Sequence, residues 1–520
     1  MKRALRIVMI KPSPYDLDGF VQRYKVGFMP NTTRLHLRGL TPSYVNGVPI
    51  NVETFDEYVH TDTNYQSRLK PEAGEHLLFA AVGTQTQQIH RAADLAAIAV
   101  RNGGMAIIGG PHSMTCDTSM LQGRGVSFSQ AEAEVIWPQI LFDATNGMLA
   151  PVYGAESRWA ESLNPPIQEP LTAEEQKRYM GAMQGVTPAR GCPKTCNFCS
   201  VKEIFGRLER SQPISVTVQT LLAAQTAGVK LVMFTCDNFN KYGERKELLE
   251  AMIAAGVTIP FMVQCDMDLV DQPKLIELLG LAGCYEVFLG AESFDRKVLQ
   301  KRRKGHNNPK RYTELVELLR ASGITAHFSN IVGFEEDTVE SIKDGVEQLK
   351  GVGPLTASFW ILTHIPGTDR YAEVLSAGNV ITETNLDRFN GTRPTWRHEQ
   401  LTDQQQLEMF QYCYREFYSK PQVWATLGKL VPSGRHYDRQ RSMAISNARF
   451  SLTTVARGEH PMSGGINRVK LDHVSEYLPL RREFYGFEHF PLPQNLRLSA
   501  KDTQLNELAD DKSWKMASGF

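Results

Sequence analysis

Short apolar runs alternate with longer amphipathic stretches through most of the chain, and this alternation predicts strands followed by helices. Residues 5–10 (Leu-Arg-Ile-Val-Met-Ile) read as a buried strand stopped at Lys11-Pro-Ser-Pro14. A second strand runs through Pro49–Phe55. Leu77–Val82 is a third, leading into Gly83-Thr-Gln-Thr86, and a helix follows over 89–101 until Gly103-Gly104 breaks it. Met105–Ile108 and Val126–Ser129 are two more strands, the first ending in Gly109-Gly-Pro-His112 and the second in Gln130-Ala-Glu-Ala-Glu134 and another helix. The interval predicts an α/β fold with a doubly wound, Rossmann-like parallel sheet over residues 1–150.

Residues 151–180, with Pro151, Pro165, Pro166 and Pro170, read as a linker. Strands are then expected near 184–189, 229–235, 258–264, 285–290, 325–333 and 355–363. Helices fall between them near 214–226, 243–255, 272–282, 310–321 and 338–350. Asp337-Thr-Val-Glu340 announces the last of these as a cap followed three residues later by a glutamate. The βα units make a partial (βα)6 barrel over 181–400. Beyond it the chain turns helical (Thr402 to Tyr418), then irregular and aromatic-rich. A mostly helical or irregular domain over 401–520 is expected to cap the barrel and shape a substrate pocket, with Gly458–Gly465 as a loop.

Composition narrows the function classes. The 520 residues carry 57 Lys plus Arg against 57 Asp plus Glu, so no bulk field draws in nucleic acid or an anionic membrane. The apolar start is too short for a signal peptide, and no run is long enough to span a bilayer. Eight cysteines with three clustered suit a reducing, cytoplasmic setting better than a disulfide scaffold.

Those three carry the most chemistry. Cys192, Cys196 and Cys199 lie in Ala189-Arg-Gly-Cys-Pro-Lys-Thr-Cys-Asn-Phe-Cys-Ser200, a Cys-x3-Cys-x2-Cys spacing with Phe198 before the last thiol. A short loop of this kind aims three thiolates at one soft metal centre and leaves a corner open, where a closed structural site wants four ligands. The alternative is a Cys3His zinc knuckle, although zinc ligands more often come as two separated pairs. Arg190, Lys194 and Lys202 flank the loop and read as positive charges that would raise a cluster's potential and suit an acidic electron donor, or as ordinary solvated residues.

The cysteine segment resembles the radical S-adenosylmethionine (radical SAM) enzymes. That resemblance implies a 4Fe–4S cluster whose open iron chelates SAM, reductive cleavage to a 5′-deoxyadenosyl radical, and a reducing partner such as a flavodoxin or ferredoxin. It also implies SAM contacts from Glu292 and Ser293 (ribose and methionine) and from Phe198, Asn330, Gly333 and Phe334 (adenine).

In the first third, the strand ends gather Thr84, Gln85, Thr86, Gly109, Gly110, His112, Ser129 and Gln130, where doubly wound sheets bind ligands. Gly109-Gly-Pro-His112 resembles the cobalamin-binding domain that precedes many radical SAM barrels, and Ser129–Glu134 is a looser counterpart of its second turn. The Asp-x-His-x-x-Gly motif that gives cobalt a histidine is absent. His364-Ile-Pro-Gly-Thr-Asp-Arg370 resembles the stretch closing the barrel in the cobalamin-dependent members.

Together these resemblances imply a cobalamin-dependent radical SAM enzyme, foremost a methyltransferase acting on an unactivated carbon of a small-molecule or lipid-like substrate. Such a carbon cannot attack SAM as a nucleophile, so its hydrogen must leave as an atom. The alternatives are a radical cyclase, oxidase or carbon–carbon coupling enzyme using cobalamin differently or not at all, and a non-catalytic corrinoid- or SAM-binding regulator.

Overall fold

A computed structural model describes residues 4–61, 64–378, 380–459 and 464–516, with side chains as far as 510. Eight strands form or flank its first α/β unit: β1 (Ala4–Lys11), β2 (Phe20–Gly27), β3 (Tyr44–Val45), β4 (Val48–Asp56), β5 (Glu75–Ala81), β6 (Met105–Ile108), β7 (Val126–Ser129) and β8 (Val152–Tyr153). All but β2 join one sheet in the order β3-β4-β1-β5-β6-β7-β8, parallel apart from the β3–β4 hairpin. The order reverses beside β1, which pairs with β4 on one side and β5 on the other. A reversal of this kind opens a crevice past the carboxyl ends of the strands. The expected helix over 89–101 is present as Ile89–Arg101.

The second unit is built on β9 (Met183–Val186), then a small antiparallel pair, β10 (Ala189–Arg190) with β11 (Arg210–Ser211), then β12 (Leu231–Phe234), β13 (Phe261–Cys265), β14 (Cys284–Glu292), β15 (Thr325–Val332) and β16 (Thr356–Ile361). Six of these form a wholly parallel sheet, β16-β15-β14-β13-β12-β9, whose two end strands are not paired to one another. The continuous strand expected over 184–189 is instead two pieces. Pro188 has no N–H for the ladder, and the chain leaves the barrel there to start the cysteine loop. The cap of helix Val339–Val352 also differs: Thr338 accepts from Ser341 N, and Asp337 turns back to accept from Gly333 N (2.8 Å) and Phe334 N (2.9 Å).

An open barrel exposes an edge, and two tyrosines close it. Tyr414 and Tyr418 sit one turn apart at the end of helix Asp403–Phe417. The Tyr414 hydroxyl accepts from Phe359 N (3.0 Å) and donates to Phe359 O (3.1 Å). Tyr418 does the same for Ala357 N (3.0 Å) and O (2.6 Å). Ala357 and Phe359 are two apart on β16, so their backbone groups face the same way, outward from the edge. The pair of phenols takes the place of a seventh strand.

Residues 401–520 divide between the two units. Helices Asp403–Phe417 and Tyr437–Ala456 contribute Phe410, Tyr414, Phe417 and Val455 to the barrel core. A last strand, β17 (Gly465–His473), returns to pair antiparallel with β2, and helix Leu478–Tyr485 packs on helix Ile89–Arg101. Ion pairs fix this return: Arg481 on Asp94 (2.6 Å), and Asp472 of β17 on Arg23 (2.5 Å), which shares Glu57 (2.8 Å) with Arg91 (2.6 Å). Tyr485 and Phe490, expected in a barrel cap, lie in the core of the first unit. Among the described residues no helix is long and apolar enough to cross a membrane.

The edge closure has a measurable consequence. Tyr414→Phe and Tyr418→Phe each strand a buried backbone group, so each is expected to cost roughly 1–3 kcal/mol. Urea unfolding followed by tyrosine and tryptophan fluorescence checks this, and an unchanged midpoint in the double variant would show that water satisfies the edge instead.

Candidate active site

The cysteine loop runs from β10 to the short helix Val201–Phe205 and is held by backbone bonds from Cys192 N to Gly206 O (3.2 Å), Asn197 N to Arg302 O (3.3 Å) and Cys199 N to Cys196 O (3.3 Å). Gly191 starts it at φ +99°, where a Cβ would come within 2.4 Å of Leu208 O, so only glycine makes this turn. Asp237, at the end of β12, accepts from Gly191 N (3.1 Å), and Asn238 donates toward the Cys192 sulfur (3.8 Å).

None of the three thiols is in a disulfide. Burial pushes Cys192 and Cys199 up to about 12 and raises Cys196 as well. Cys199 is raised further by the neighbouring thiols. Metal coordination is what makes such thiols thiolates. Among the described residues no group of three or more His, Cys, Asp or Glu side chains converges on one ion. Three thiols on one loop fit an iron–sulfur cube with one open corner, whereas a closed zinc knuckle wants a fourth ligand.

The three cations flanking the loop are not a free basic face. Arg190 pairs with Glu134 (2.9 Å) and Glu132 (3.4 Å), Lys194 with Asp268 (2.7 Å) and Asp266 (3.5 Å), and Lys202 with Glu203 and Asp369 (2.8 Å). Each charge is met by carboxylates, so the loop's own cations offer an acidic donor little.

Beside the thiols, the ends of β14 and β15 bring together most of the residues expected to face SAM. Glu292 sits at φ +65°, an unusual conformation for a non-glycine residue, next to an irregularity in the β14–β15 register. Its carboxylate receives Lys304 Nζ (2.6 Å), and that ammonium lies over the Phe198 ring at 5.8 Å from its centre. Phe198 meets Phe334 edge to face at 6.2 Å. Gly333 and Phe334 present their N–H groups to Asp337 rather than to open space, and His398 binds Phe334 O (2.7 Å). The Asn330 amide bonds to Phe328 O (3.1 Å) and Ser358 O (3.3 Å), and Ser293 Oγ accepts from Asp295 N (3.0 Å). Lys304 escaped the sequence reading because it belongs to no strand end. Only the fold carries it to the cysteines, which its charge favours as thiolates.

A cavity of about 530 Å³ opens at the crevice of the first unit. Lys11, Gly83, Gln85, Gly109 and Gly110 line it from the strand ends, and Thr187, Arg190 and Thr235 face it from the barrel. An apolar slot runs down between sheet and helix, walled by Ala80, Val82, Ile107, Ile136 and Trp137. Gly110, at φ +132°, would place a Cβ 2.2 Å from Thr84 N. Thr84, Thr86, His112 and Gln130 do not line the cavity. They brace its rim: Thr84 N donates to Gly109 O (2.9 Å), Gln130 N to Tyr153 O (2.8 Å), and Thr86 Oγ1 meets His112 Nδ1 (3.1 Å). Burial holds His112 down at about 3. Lys11 was unmarked in the sequence. It bonds Gly83 O and Gln88 Oε1 (both 2.5 Å), and burial lowers it to about 7. Gly464 reaches the cavity, while 460–463 of the expected loop lie outside the described residues.

The His364–Arg370 turn seals the seam between the units. Gly367 N donates to Asn495 Oδ1 (2.9 Å), and a Cβ on Gly367 would lie 2.4 Å from Thr115 Oγ1. A second, larger cavity of about 1380 Å³ fills the lower barrel lumen, and Phe28 and Met29 line both cavities.

Gly191→Ala is expected to leave secondary structure by circular dichroism unchanged while iron content after anaerobic reconstitution falls several-fold. Full iron loading in that variant would mean that the turn does not set the thiols.

Residues 186–349 match the radical SAM superfamily. The chain is 26% identical over 348 residues to bacteriochlorophyllide d C-12(1)-methyltransferase of Chlorobaculum tepidum, covering 65% of this chain and 74% of that protein. It is 24% identical over 387 residues to bacteriochlorophyllide d C-8(2)-methyltransferase of the same organism, covering 72% and 82%. Its fold is similar to that of the radical SAM methyltransferase TsrM from Kitasatospora setae, solved with cobalamin and a 4Fe–4S cluster bound, at a TM-score of 0.58 and 14% identity over 86% of this chain and 99% of that one. Three uncrosslinked thiols thus lie on one loop at the mouth of an open parallel barrel, behind a doubly wound unit whose crevice faces that mouth; residues 186–349 match the radical SAM superfamily, and the fold is similar to that of a radical SAM methyltransferase solved with cobalamin bound.

Proposed function

We propose that this chain is a cobalamin-dependent radical SAM methyltransferase acting on an unactivated carbon. One observation carries the reading: the crevice cavity is walled on one side by the strand ends of the first unit and on the other by Thr187, Arg190 and Thr235 of the barrel. A flat cofactor there would turn one face to the barrel, and Gly109 and Gly110 leave room for its edge. The apolar slot beneath suits a planar apolar appendage; His36 lines the cavity with its Nε2 on Glu134 (2.7 Å), and His112 turns away to Thr86. The methyltransferase names of the two Chlorobaculum relatives support the same assignment.

When bound, the cluster, SAM and cobalamin supply the one-electron and methyl-transfer chemistry. The protein's own residues hold and shield. Cys192, Cys196 and Cys199 hold the cluster. Lys304 places a buried positive charge near Cys196 and Cys199, where it could meet an anionic end of SAM with a charge-assisted hydrogen bond. Glu292 presents a carboxylate oxygen to hydroxyl donors while Lys304 anchors the other end of the pair. Phe198 and Phe334 offer apolar ring faces for a base. The loop 27–33, held by Phe28 N on Gly464 O (2.9 Å), lines the side of the crevice cavity.

Anaerobic turnover with methyl-labelled SAM tests this. Label in the product together with 5′-deoxyadenosine is expected, and product formation without label would favour cyclisation or oxidation instead. Gly109→Leu, which drives a side chain into the crevice, is expected to lose bound cobalamin and methyl transfer while retaining the cluster absorbance.

A further inference from the structure

The amino ends of the barrel strands form a face at the opposite end of the barrel from the cysteine loop. Five turns carry the chain there from a helix into a strand, over 227–230, 255–260, 283, 322–324 and 353–355, leading into β12 to β16. A further segment, 428–436, crosses beneath them. Arg435 donates to Leu281 O (3.4 Å), Lys429 Nζ lies 2.6 Å from where a Cβ on Gly353 would be, and Gln440 just beyond donates to Gly323 O (2.9 Å). Neither the turns nor the crossing segment contains an aspartate or glutamate. Lys230, Lys429 and Arg435 are exposed on them, and none of the three has an acidic partner among the described residues. The carboxylates next along the chain, Glu250, Glu277, Glu317 and Glu347, stand about a turn back on their helices, and Asp438 follows on helix Tyr437–Ala456. Glu347 is itself taken up by Lys350 (2.8 Å).

The same end exposes large apolar side chains: Leu281 is 71% exposed, Trp424 66%, Val431 45% and Ile253 44%. Trp424 is carried there by helix Asp403–Phe417, which descends along β16. Tyr414 meets Phe359, and Tyr418, a turn later, meets Ala357 nearer the start of the strand. Helix Lys420–Leu427 therefore begins at the level of the strand starts and runs across this end. Its inner side is occupied: Gln422 donates to Lys350 O (3.4 Å), Val423 packs on the barrel core and Thr426 is buried. Lys420 and Trp424, four residues apart on the other side, are both exposed.

We propose that this face docks on an anionic lipid bilayer, with Trp424, Val431 and Leu281 entering the headgroup layer and Lys230, Lys420, Lys429 and Arg435 meeting lipid phosphates. The chain's charges sum to zero, so the attraction comes from where they lie and not from their total. Indole rings favour the membrane–water interface, and long cationic side chains lay their apolar stems along it while the charged heads stay in water. Each cation held at an anionic surface contributes about 1 kcal/mol. An acidic electron donor is the rival occupant of a cationic face. Against it stands the length of the barrel: the eight residues of β15 alone put about 25 Å between this face and the cysteine end. Docking here leaves the cysteine loop and the crevice directed away from the bilayer, open to a reductant. This inference goes beyond the methyltransferase reading and does not depend on it.

The test is co-sedimentation of the anaerobically purified holoprotein with vesicles of phosphatidylcholine alone, and with vesicles holding one phosphatidylglycerol for every two phosphatidylcholines. Binding to the mixed vesicles is expected to be about tenfold tighter than to the neutral ones and to weaken as salt is raised. Lys420→Glu with Lys429→Glu and Arg435→Glu is expected to abolish that preference. Trp424→Ala is expected to weaken binding to the mixed vesicles about fivefold while keeping the preference for them. Lys70→Glu with Lys297→Glu and Lys310→Glu changes the total charge equally at exposed sites elsewhere, and it is expected to leave binding within about twofold of wild type. All these side chains are exposed, so circular dichroism is expected to be unchanged. Absence of vesicle binding, equal binding to neutral and mixed vesicles, a preference that survives the first triple change, or an equal loss in the second would each overturn the proposal. Failure on vesicles together with flavodoxin binding that the first triple abolishes would give the face to an acidic protein instead.

Discussion

Three thiols held in one part-buried loop are the constraint around which this molecule is arranged. Burial raises them all, so they stay protonated until a metal centre draws their protons off. The loop is held in place by a glycine turn, by Asp237 from β12 and by backbone bonds to 206 and 302. Each tether comes from a different part of the barrel. Cluster geometry and barrel closure are thus one problem, which the fold meets at the carboxyl ends of β9 and β12–β15.

The two sheets must also be brought mouth to mouth. The linker alone does not do this. Residues far along the chain return to the first unit through β17 on β2 and through Arg481 on Asp94, both partners fully buried. Breaking a buried pair by removing one partner is far more costly than never having built it. These pairs therefore set the registration between the crevice and the barrel mouth, and with it the shared wall at Phe28 and Met29. A reaction that needs two cofactors to meet one carbon requires that registration.

Much of this was legible in the sequence, and the exceptions have physical causes. Strands such as Met105–Ile108 and helices such as Ile89–Arg101 and Ile214–Thr226 were readable because a local period matched a buried face. β2 was not: Gln22, Arg23 and Lys25 break its alternation, and it is a strand because of a partner more than four hundred residues away and because Glu57 and Asp472 neutralise Arg23. The cysteines could be found from spacing alone. Lys304 and Lys11 could not, since a lysine in a loop looks solvated until tertiary structure buries it. His112 was marked because histidine at a strand end is conspicuous, yet the crevice is bounded by its glycine neighbours and the imidazole turns inward to Thr86.

The most direct measurement of the central claim is spectroscopic. Anaerobically reconstituted wild-type protein, reduced and examined by electron paramagnetic resonance with and without SAM, should show a 4Fe–4S signal that shifts when SAM binds the open iron, and the signal should vanish when Cys192, Cys196 and Cys199 are replaced together by alanine. A colourless, zinc-containing protein, or a cluster signal that persists without those three thiols, would contradict it.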